Sequence, residues 1–257
     1  MSEKRKSISI AMAACNGEPF IEAQIDSILR QMTSRDELVI SLDFSKDHTE
    51  EIIRNYMKKD KRIVLIHGPS KGVVRNFESA INMCQKEIIF LADQDDIWLL
   101  GKVNAVLKEF EDENVQVVLH DATIVDQNLD VQGKSYFKYR HCKTGIWRNI
   151  LKNSYTGCCM AFRRELKDDI LPIPKRVPMH DQWIGLIGEL KGKVVLIDTP
   201  YILHRRHTSN SSDLRHSGPS QILTWRINII KALSRYDKDW YKKAGPFEFK
   251  SEEVKES

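Results

Sequence analysis

Three aspartates stand within four residues at Asp93-Gln94-Asp95-Asp96, directly after the apolar run Glu87–Ala92 (EIIFLA). Carboxylates this close repel and raise each other's pKa, so the cluster is costly unless a positive partner joins it. A hard divalent cation removes the conflict. Mg²⁺ or Mn²⁺ takes one or two carboxylates and fills its remaining positions with phosphate oxygens and water. The competing structural role is an acidic loop or helix N-terminus, where aspartate serves as a cap. The following Ile97-Trp98-Leu99-Leu100 argues against a purely solvated loop, because it would sink into apolar surroundings.

The elements around the cluster decide what it can meet. Ser7–Ala13 (SISIAMA), Glu37–Leu42 (ELVISL), Arg62–His67 and Glu87–Ala92 each read as a short apolar strand. Near-continuous apolar runs suit parallel strands covered on both faces. Helical spacing follows each of the first three strands. Ile21, Ile25, Ile28 and Leu29 share one face, and Pro19 sits near the first helical position, where its missing N–H costs little. Asp47-His48-Thr49-Glu50 has the spacing of a capping box for a helix over Thr49–Lys58. Val73, Val74, Phe77, Ala80, Ile81 and Cys84 form a third apolar face. Strands alternating with helices imply βαβ units with right-handed crossovers, and ligands of such sheets bind outside the carboxyl ends of the strands. Asn16, Asp43, Lys71 and Asp93 each follow a strand or its loop, so all four converge on one crevice.

The second half is mixed. Val115–Asp121 and Tyr155–Phe162 read as strands, and His180–Leu190 as a helix after a loop carrying Pro172, Pro174 and Pro178. Lys193–Asp198 and Tyr201–Arg206 read as two more strands, split at Pro200. His48, His67, His141 and His216 read as surface residues, and the charged tail 250–257 as disordered.

With 41% hydrophobic and 30% charged residues, the composition is ordinary for a soluble globular enzyme, and 257 residues are enough for one large α/β domain, or for one domain with a helical appendage. Its net charge of +4 is too small to imply a nucleic-acid partner. No stretch reaches the roughly 20 apolar residues that span a bilayer. The charged start Met1–Lys6 leads into a strand and an amphipathic helix rather than a secretory leader, so a cytoplasmic location is expected. Five cysteines without a CxxC pair make neither a disulfide framework nor a zinc site, and Cys158-Cys159 reads as small buried residues.

Three segments in order carry a resemblance: Ala13-Ala14-Cys15-Asn16-Gly17-Glu18, Ile40-Ser41-Leu42-Asp43-Phe44-Ser45-Lys46-Asp47, and Phe90-Leu91-Ala92-Asp93-Gln94-Asp95-Asp96-Ile97-Trp98. Together they resemble the successive motifs of glycosyltransferase family 2. The DQDDIW form is similar to bacterial rhamnosyltransferase-like enzymes of surface-polysaccharide synthesis. The resemblance runs from about residue 7 to residue 210. It implies the α/β GT-A fold, a Rossmann-like, mostly parallel central sheet flanked by helices, here with a C-terminal helical extension. It also implies a GT-A domain over 1–215, with a nucleotide-sugar half at 1–114 and an acceptor half at 115–215. Residues 216–257 form the amphipathic helix and charged tail.

The activity so implied is inverting transfer of a hexosyl or deoxyhexosyl group from a UDP- or dTDP-sugar, dTDP-rhamnose among them, to a saccharide acceptor. Asp93 and Asp95 match the DxD pair, with Asp95 the first metal ligand and Asp93 a ribose or metal contact. Asp43 matches the aspartate that reads the base, and Ala13, Asn16 and Glu18 match the nucleotide-contacting turn. Lys71, Arg75 and Asn76 lie in the loop and helix that border the diphosphate. The chain departs from the family pattern at Leu42-Asp43-Phe44, where a pair of acids normally precedes a glycine.

Met179-His180-Asp181-Gln182-Trp183 resembles the acidic motif that supplies the general base, Asp181; its competing role is to cap the helix that follows. Trp183 is either an acceptor wall or a core residue. Tyr201–Asn210 resembles the late YRxHxxN segment, which makes His207 a metal or diphosphate ligand. Arg205 and Arg206 supply positive charge there, and strand alternation points one of them at the crevice. Asp121 and Thr156 fall in segments that face the acceptor in relatives.

Two other classes stay open. A sugar nucleotidyltransferase would want a Gly-rich, Arg-containing loop after the first strand, which Asn16-Gly17-Glu18-Pro19 is not. A non-catalytic carbohydrate-binding or assembly subunit is the alternative suggested by Leu42 and Phe44. Residues 221–243 carry Ile222, Trp225, Ile229, Leu233, Tyr236 and Trp240 at spacings of three or four, interleaved with basic residues. Such a helix fits a membrane interface, its own domain or another subunit. Membrane contact would suit a lipid-linked acceptor.

Overall fold

The computed structural model describes residues 5–206 and 218–244. In chain order the first half holds β1 (Ile8–Ala14), α1 (Ile21–Leu29), β2 (Glu37–Leu42), α2 (Thr49–Lys59), β3 (Ile63–His67), α3 (Val73–Met83) and β4 (Ile88–Asp93). A two-residue strand β5 (Ile97–Trp98) and α4 (Lys102–Glu109) follow. The second half holds β6 (Val115–Val125), β7 (Val131–Gly133), α5 (Tyr136–Arg140), α6 (Ile146–Leu151), β8 (Met160–Arg163) and α7 (Lys167–Ile170). It ends with α8 (His180–Lys191), β9 (Lys193–Arg205), α9 (Pro219–Tyr236) and α10 (Trp240–Lys243).

One nine-stranded sheet runs β3-β2-β1-β4-β8-β6-β9-β5, with β7 beside β6. One side of it, β3-β2-β1-β4, is parallel throughout. β8 then joins β4 and β6 in antiparallel fashion, and β6 pairs with β9 in parallel. Alternate residues of each strand feed opposite faces. Ile10 and Met12 of β1 pack with Ile25 of α1, Ile53 of α2 and Val106 of α4. Ala11 of the same strand packs with Phe77 and Ile81 of α3, Ile184 of α8 and Leu233 of α9. Both faces are apolar because both are covered, as the continuous runs in the sequence imply.

The first half follows the expected elements closely, and the second departs from them in four places. β6 continues to Val125 rather than stopping at Asp121. The expected strand Tyr155–Phe162 is only Met160–Arg163, because Gly157–Cys159 is a 3₁₀ turn. The two strands expected either side of Pro200 are the single strand β9. Its ladder with β6 shifts register around Asp121, which faces Pro200, so the missing proline N–H falls at a bulge. The expected basic helix breaks at Asp237 into α9 and α10.

The capping box also fails. His48 occupies the cap position of α2 without a side-chain cap bond, and Asp47 instead accepts from the Thr49 amide at 3.1 Å. Glu50 bonds Arg54, one turn along its own helix.

α8 is buried along nearly its whole length. Gly185 and Gly188 make that possible: a Cβ at Gly185 would run into the Tyr155 ring, and one at Gly188 into Val117. α9 closes the same layer with Ile229, Ala232 and Leu233. Tyr236 donates to Asp169 at 2.6 Å, and the Trp147 and Trp240 rings pack at 4.9 Å. His207, Asn210, His216, the boundary at residue 215 and the tail 250–257 lie outside the described residues.

Candidate active site

The carboxyl ends of β1, β2 and β4 are tied into one rim by side chains bonding to neighbouring loops. Asn16, in the left-handed region at φ 49°, accepts the Lys46 amide at 2.8 Å, and its own amide donates to Ser45 at 3.0 Å. The Gly17 amide donates to Thr49 at 2.7 Å. Gln94 makes a reciprocal pair with the backbone of Cys15, accepting its amide at 2.9 Å and donating to its carbonyl at 2.8 Å. Gly17 has to be glycine here, since a Cβ would occupy the space of the Gln94 carboxamide. Gln24 donates to the Asp93 carbonyl at 2.7 Å and fixes the end of β4.

Beside this rim, Asp43 is 7% exposed and accepts the Ser70 amide at 2.8 Å. Asn76, on the first turn of α3, donates to the Ala14 carbonyl at 3.1 Å. A Cβ at Gly68 would collide with the carboxylate of Asp43 and the carboxamide of Asn76, so the close approach of these two side chains requires glycine there.

The acidic cluster sits at the centre. Asp93, Asp95 and Asp96 each offer a carboxylate oxygen within 4.8 Å of the others. Burial, then the Asp96 and Asp95 carboxylates, push the Asp93 carboxyl well above the usual carboxylate range. Asp96 is 1% exposed. Its Oδ1 accepts the Arg205 amide at 3.0 Å and lies 3.0 Å from His204 Nδ1, while its buried Oδ2 has no hydrogen-bond partner among the described residues. Burial disfavours the His204 imidazolium, but the Asp96 carboxylate, with the Cys158 sulfur beside it, raises its pKa well above the ordinary value. An all-oxygen, mutually repelling set with an orphaned buried oxygen fits a hard divalent cation. The alternative set Asp96, Cys158 and His204 also gathers within 4.8 Å, but its imidazole is already committed to Asp96.

Across the crevice stands Asp181, at the N-terminus of α8 and 7% exposed. Its Oδ1 accepts the Gln182 amide at 2.6 Å and the Asn153 carboxamide at 3.3 Å. Burial lifts its carboxyl from 3.8 to about 6, outweighing those bonds. The preceding His180 stacks on Phe77 at 4.2 Å, and burial holds its pKa down to about 3, so it is neutral. One cavity of about 810 Å³ joins the two sides. Ala13, Asn16, Asp43, Asn76, Asp93 and Asp95 line it from one side, and Tyr155, Thr156, His180 and Asp181 from the other.

Not every expected residue reaches this cavity. Arg75 is turned away, bonded to Glu78 and to the Ile173 carbonyl at 2.8 Å. Glu18 binds the amide and ring of His48, both at 2.9 Å, and ties loop to loop. Lys71 stands exposed on the loop before α3, outside the cavity wall.

Of the two arginines, Arg205 is the buried one. Its Nε donates to the Asp95 carbonyl at 2.9 Å and its Nη1 to the Gln127 carbonyl at 2.5 Å, with its guanidinium 4.9 Å over the Phe20 ring. Arg205 therefore shapes the acidic loop, and Arg206 is the arginine on the cavity wall. Trp183 is a core residue, 2% exposed, donating to the Ile170 carbonyl at 3.0 Å. Asp121 is a buried latch that accepts the Phe137 amide at 2.8 Å and the Ser135 hydroxyl, holding α5 to β6.

Sequence reasoning overlooked Gln94, Arg140 and Asn153. Gln94 could have been found from its place inside the acidic motif. Arg140 and Asn153 come from irregular segments with no periodic signal.

Comparison with known proteins places this geometry. The model of glycosyl transferase family 2 matches residues 9–171. WfgD of Escherichia coli, named as a UDP-Glc:alpha-D-GlcNAc-diphosphoundecaprenol beta-1,3-glucosyltransferase, is 27% identical over 211 residues, covering 80% of this chain and 78% of its own. The uncharacterized glycosyltransferase alr2836 of Nostoc sp. is 24% identical over 246 residues, covering 93% of this chain and 76% of its own. The crystal structure of S. aureus TarS 1-349 in complex with UDP-GlcNAc superposes with a TM-score of 0.71 at 19% identity, covering 93% of this chain and 69% of that one. That likeness establishes a shared GT-A fold.

Proposed function

This chain belongs to glycosyl transferase family 2, and from that premise we propose that it moves a sugar from a pyrimidine nucleoside-diphosphate donor to a saccharide acceptor, with inversion, in cell-surface polysaccharide synthesis. The observation that carries the reading is one cavity with the acidic cluster on one wall and a buried carboxyl of raised pKa on the other. Enzymes place perturbed acids and bases in such clefts.

Asp43 accepts the imide N–H shared by uracil and thymine, Asn76 and the Ala13–Asn16 turn border the nucleoside, and Asp93 meets the ribose. Asp95 first and Asp93 second would hold Mg²⁺ or Mn²⁺, which when bound would offset negative charge on the diphosphate. Asp181 takes the proton of the acceptor hydroxyl while Asn153 and the Gln182 amide hold its carboxylate in place. The acceptor oxygen then bonds to the anomeric carbon as the bond from that carbon to the diphosphate oxygen breaks. The electron pair leaves on the nucleoside diphosphate, and Arg206 and Arg140 on the cavity wall offset its charge.

UDP is the favoured nucleotide, since WfgD is named for UDP-Glc and TarS was crystallised with UDP-GlcNAc. The Asp43 carboxylate itself serves UDP- and dTDP-sugars alike, dTDP-rhamnose included. WfgD's named acceptor makes a lipid-linked saccharide the acceptor class proposed here.

A thermal-shift panel of UDP-sugars and dTDP-rhamnose, with Mn²⁺ and with chelator, tests the reading. A donor should raise the melting temperature only with metal. No shift with any pyrimidine donor would count against it.

A further inference from the structure

The α9 helix buries one row of apolar residues and leaves another uncovered. Ile229, Ala232 and Leu233 pack into the domain. At about 100° per residue, Leu223, Ile227 and Ile230 fall within a separate arc of roughly 60°, and they are 57%, 41% and 37% exposed. Arg226 borders this arc on one side and Lys231 on the other. The first turn of α9 carries no acid and its last turn carries Arg235; across the helix every charged residue is basic. Leu151, 40% exposed at the end of α6, is tied to the edge of this arc, since its carbonyl takes two bonds from Arg226, at 3.1 and 2.7 Å. Two residues on, Asn153 lines the cavity and bonds Asp181.

We infer that this uncovered face of α9, with Leu151, docks on an anionic phospholipid surface and sets the acceptor side of the crevice beside the bilayer. An apolar stripe edged by Arg and Lys is the pattern of a helix lying in a membrane interface. Charge selects the occupant. Anionic headgroups complement Arg226, Lys231 and Arg235, whereas a second copy would bring the same basic residues face to face. The helix's own domain is already served by the opposite row. Among the described residues no helix is long and apolar enough to cross a membrane, and the contact inferred is that of a helix lying on the surface. The purpose given to the contact rests on the proposed lipid-linked acceptor; the contact itself rests only on this surface.

Vesicle co-sedimentation of the full chain tests it without any transfer assay. The protein should pellet with phosphatidylglycerol-containing vesicles, weaken with added salt, and stay in solution with phosphatidylcholine alone. The triple substitution Leu223→Gln, Ile227→Gln, Ile230→Gln should cut partitioning by about tenfold or more, with the donor-induced thermal shift unchanged. Lys231→Glu with Arg235→Glu, which touches no packed residue, should do the same and decides the matter if the triple variant does not fold. Failure of the native chain to pellet with anionic vesicles, or undiminished binding by the variants, would overturn the inference. So would a native dimer that the triple variant reduces to monomer, which would make the face a protein interface. A failure of the donor panel beside intact vesicle binding would fault the catalytic reading and leave this one standing.

Discussion

The two walls of the crevice are built on different plans. The wall proposed to take the donor hangs on four parallel strands whose ends carry short loops, and those loops are knitted by reciprocal bonds such as Gln94 with Cys15. The wall proposed to face the acceptor is assembled from a 3₁₀ turn, a bulged strand and the buried end of α8. The first plan gathers carboxylates whose mutual repulsion a proton or a cation would relieve. The second isolates one carboxylate from water and lifts its pKa. Losing charge should therefore cripple the donor wall and stabilise the acceptor wall.

The largest effect expected is at Asp95. Asp95→Ala should lower transfer by about a thousandfold or more and abolish the Mn²⁺-dependent part of the donor thermal shift; full activity in this variant would remove the metal assignment. Asp181→Asn should cost about a hundred- to ten-thousandfold in kcat while leaving donor binding intact.

The same substitution should raise stability. The folded protein holds the Asp181 proton more tightly than the unfolded chain, with a pKa near 6 against 3.8. Its contribution is full below pH 3.8 and is lost as pH rises through about 6. At neutral pH the ionised form therefore costs up to roughly 3 kcal/mol, which the amide recovers and chemical denaturation would register. By the same shift, kcat/KM should fall on the acid side of about pH 6 in the native protein. An acid limb near pH 4 would count against Asp181 as the base.

Smaller effects separate the rim from the core. Gln94→Ala removes the bridge between the first loop and the acidic loop, and the donor KM should rise about three- to tenfold with a lesser change in kcat. Trp183→Phe should cost about 1–2 kcal/mol of stability and leave the acceptor KM unchanged, because the indole faces Ile170 rather than the cavity.

The difference between the walls also explains what was legible in the sequence. β1, β2, β3 and β4 are short and apolar, and punctuated by turn residues, so their ends were foreseen within a residue or so. From those ends the convergence of Asn16, Asp43 and Asp93 followed. The acceptor wall resisted because its shape comes from tertiary pairing. β9 runs through Pro200 since the bulge opposite Asp121 absorbs the missing donor. Gly157–Cys159 turns to let His180 and Phe77 stack beneath it. Burial direction was the other weakness. Alternation required one of Arg205 and Arg206 to face inward, but only the contacts with Asp95 and Gln127 reveal that the buried one braces the loop. Arg75 and Glu18 hold motif positions that point to the nucleotide, but local pairs with Glu78 and His48 claim them instead.

The central claim is that the acidic cluster and Asp181 act together on a nucleotide-sugar. Release of nucleoside diphosphate from a UDP-sugar, followed with Mn²⁺ and with chelator, tests it most directly. The account predicts Mn²⁺-dependent release that disappears in Asp95→Ala and falls sharply in Asp181→Asn. Release that is equal in chelator, or absent from every pyrimidine donor while the protein remains folded, would contradict it.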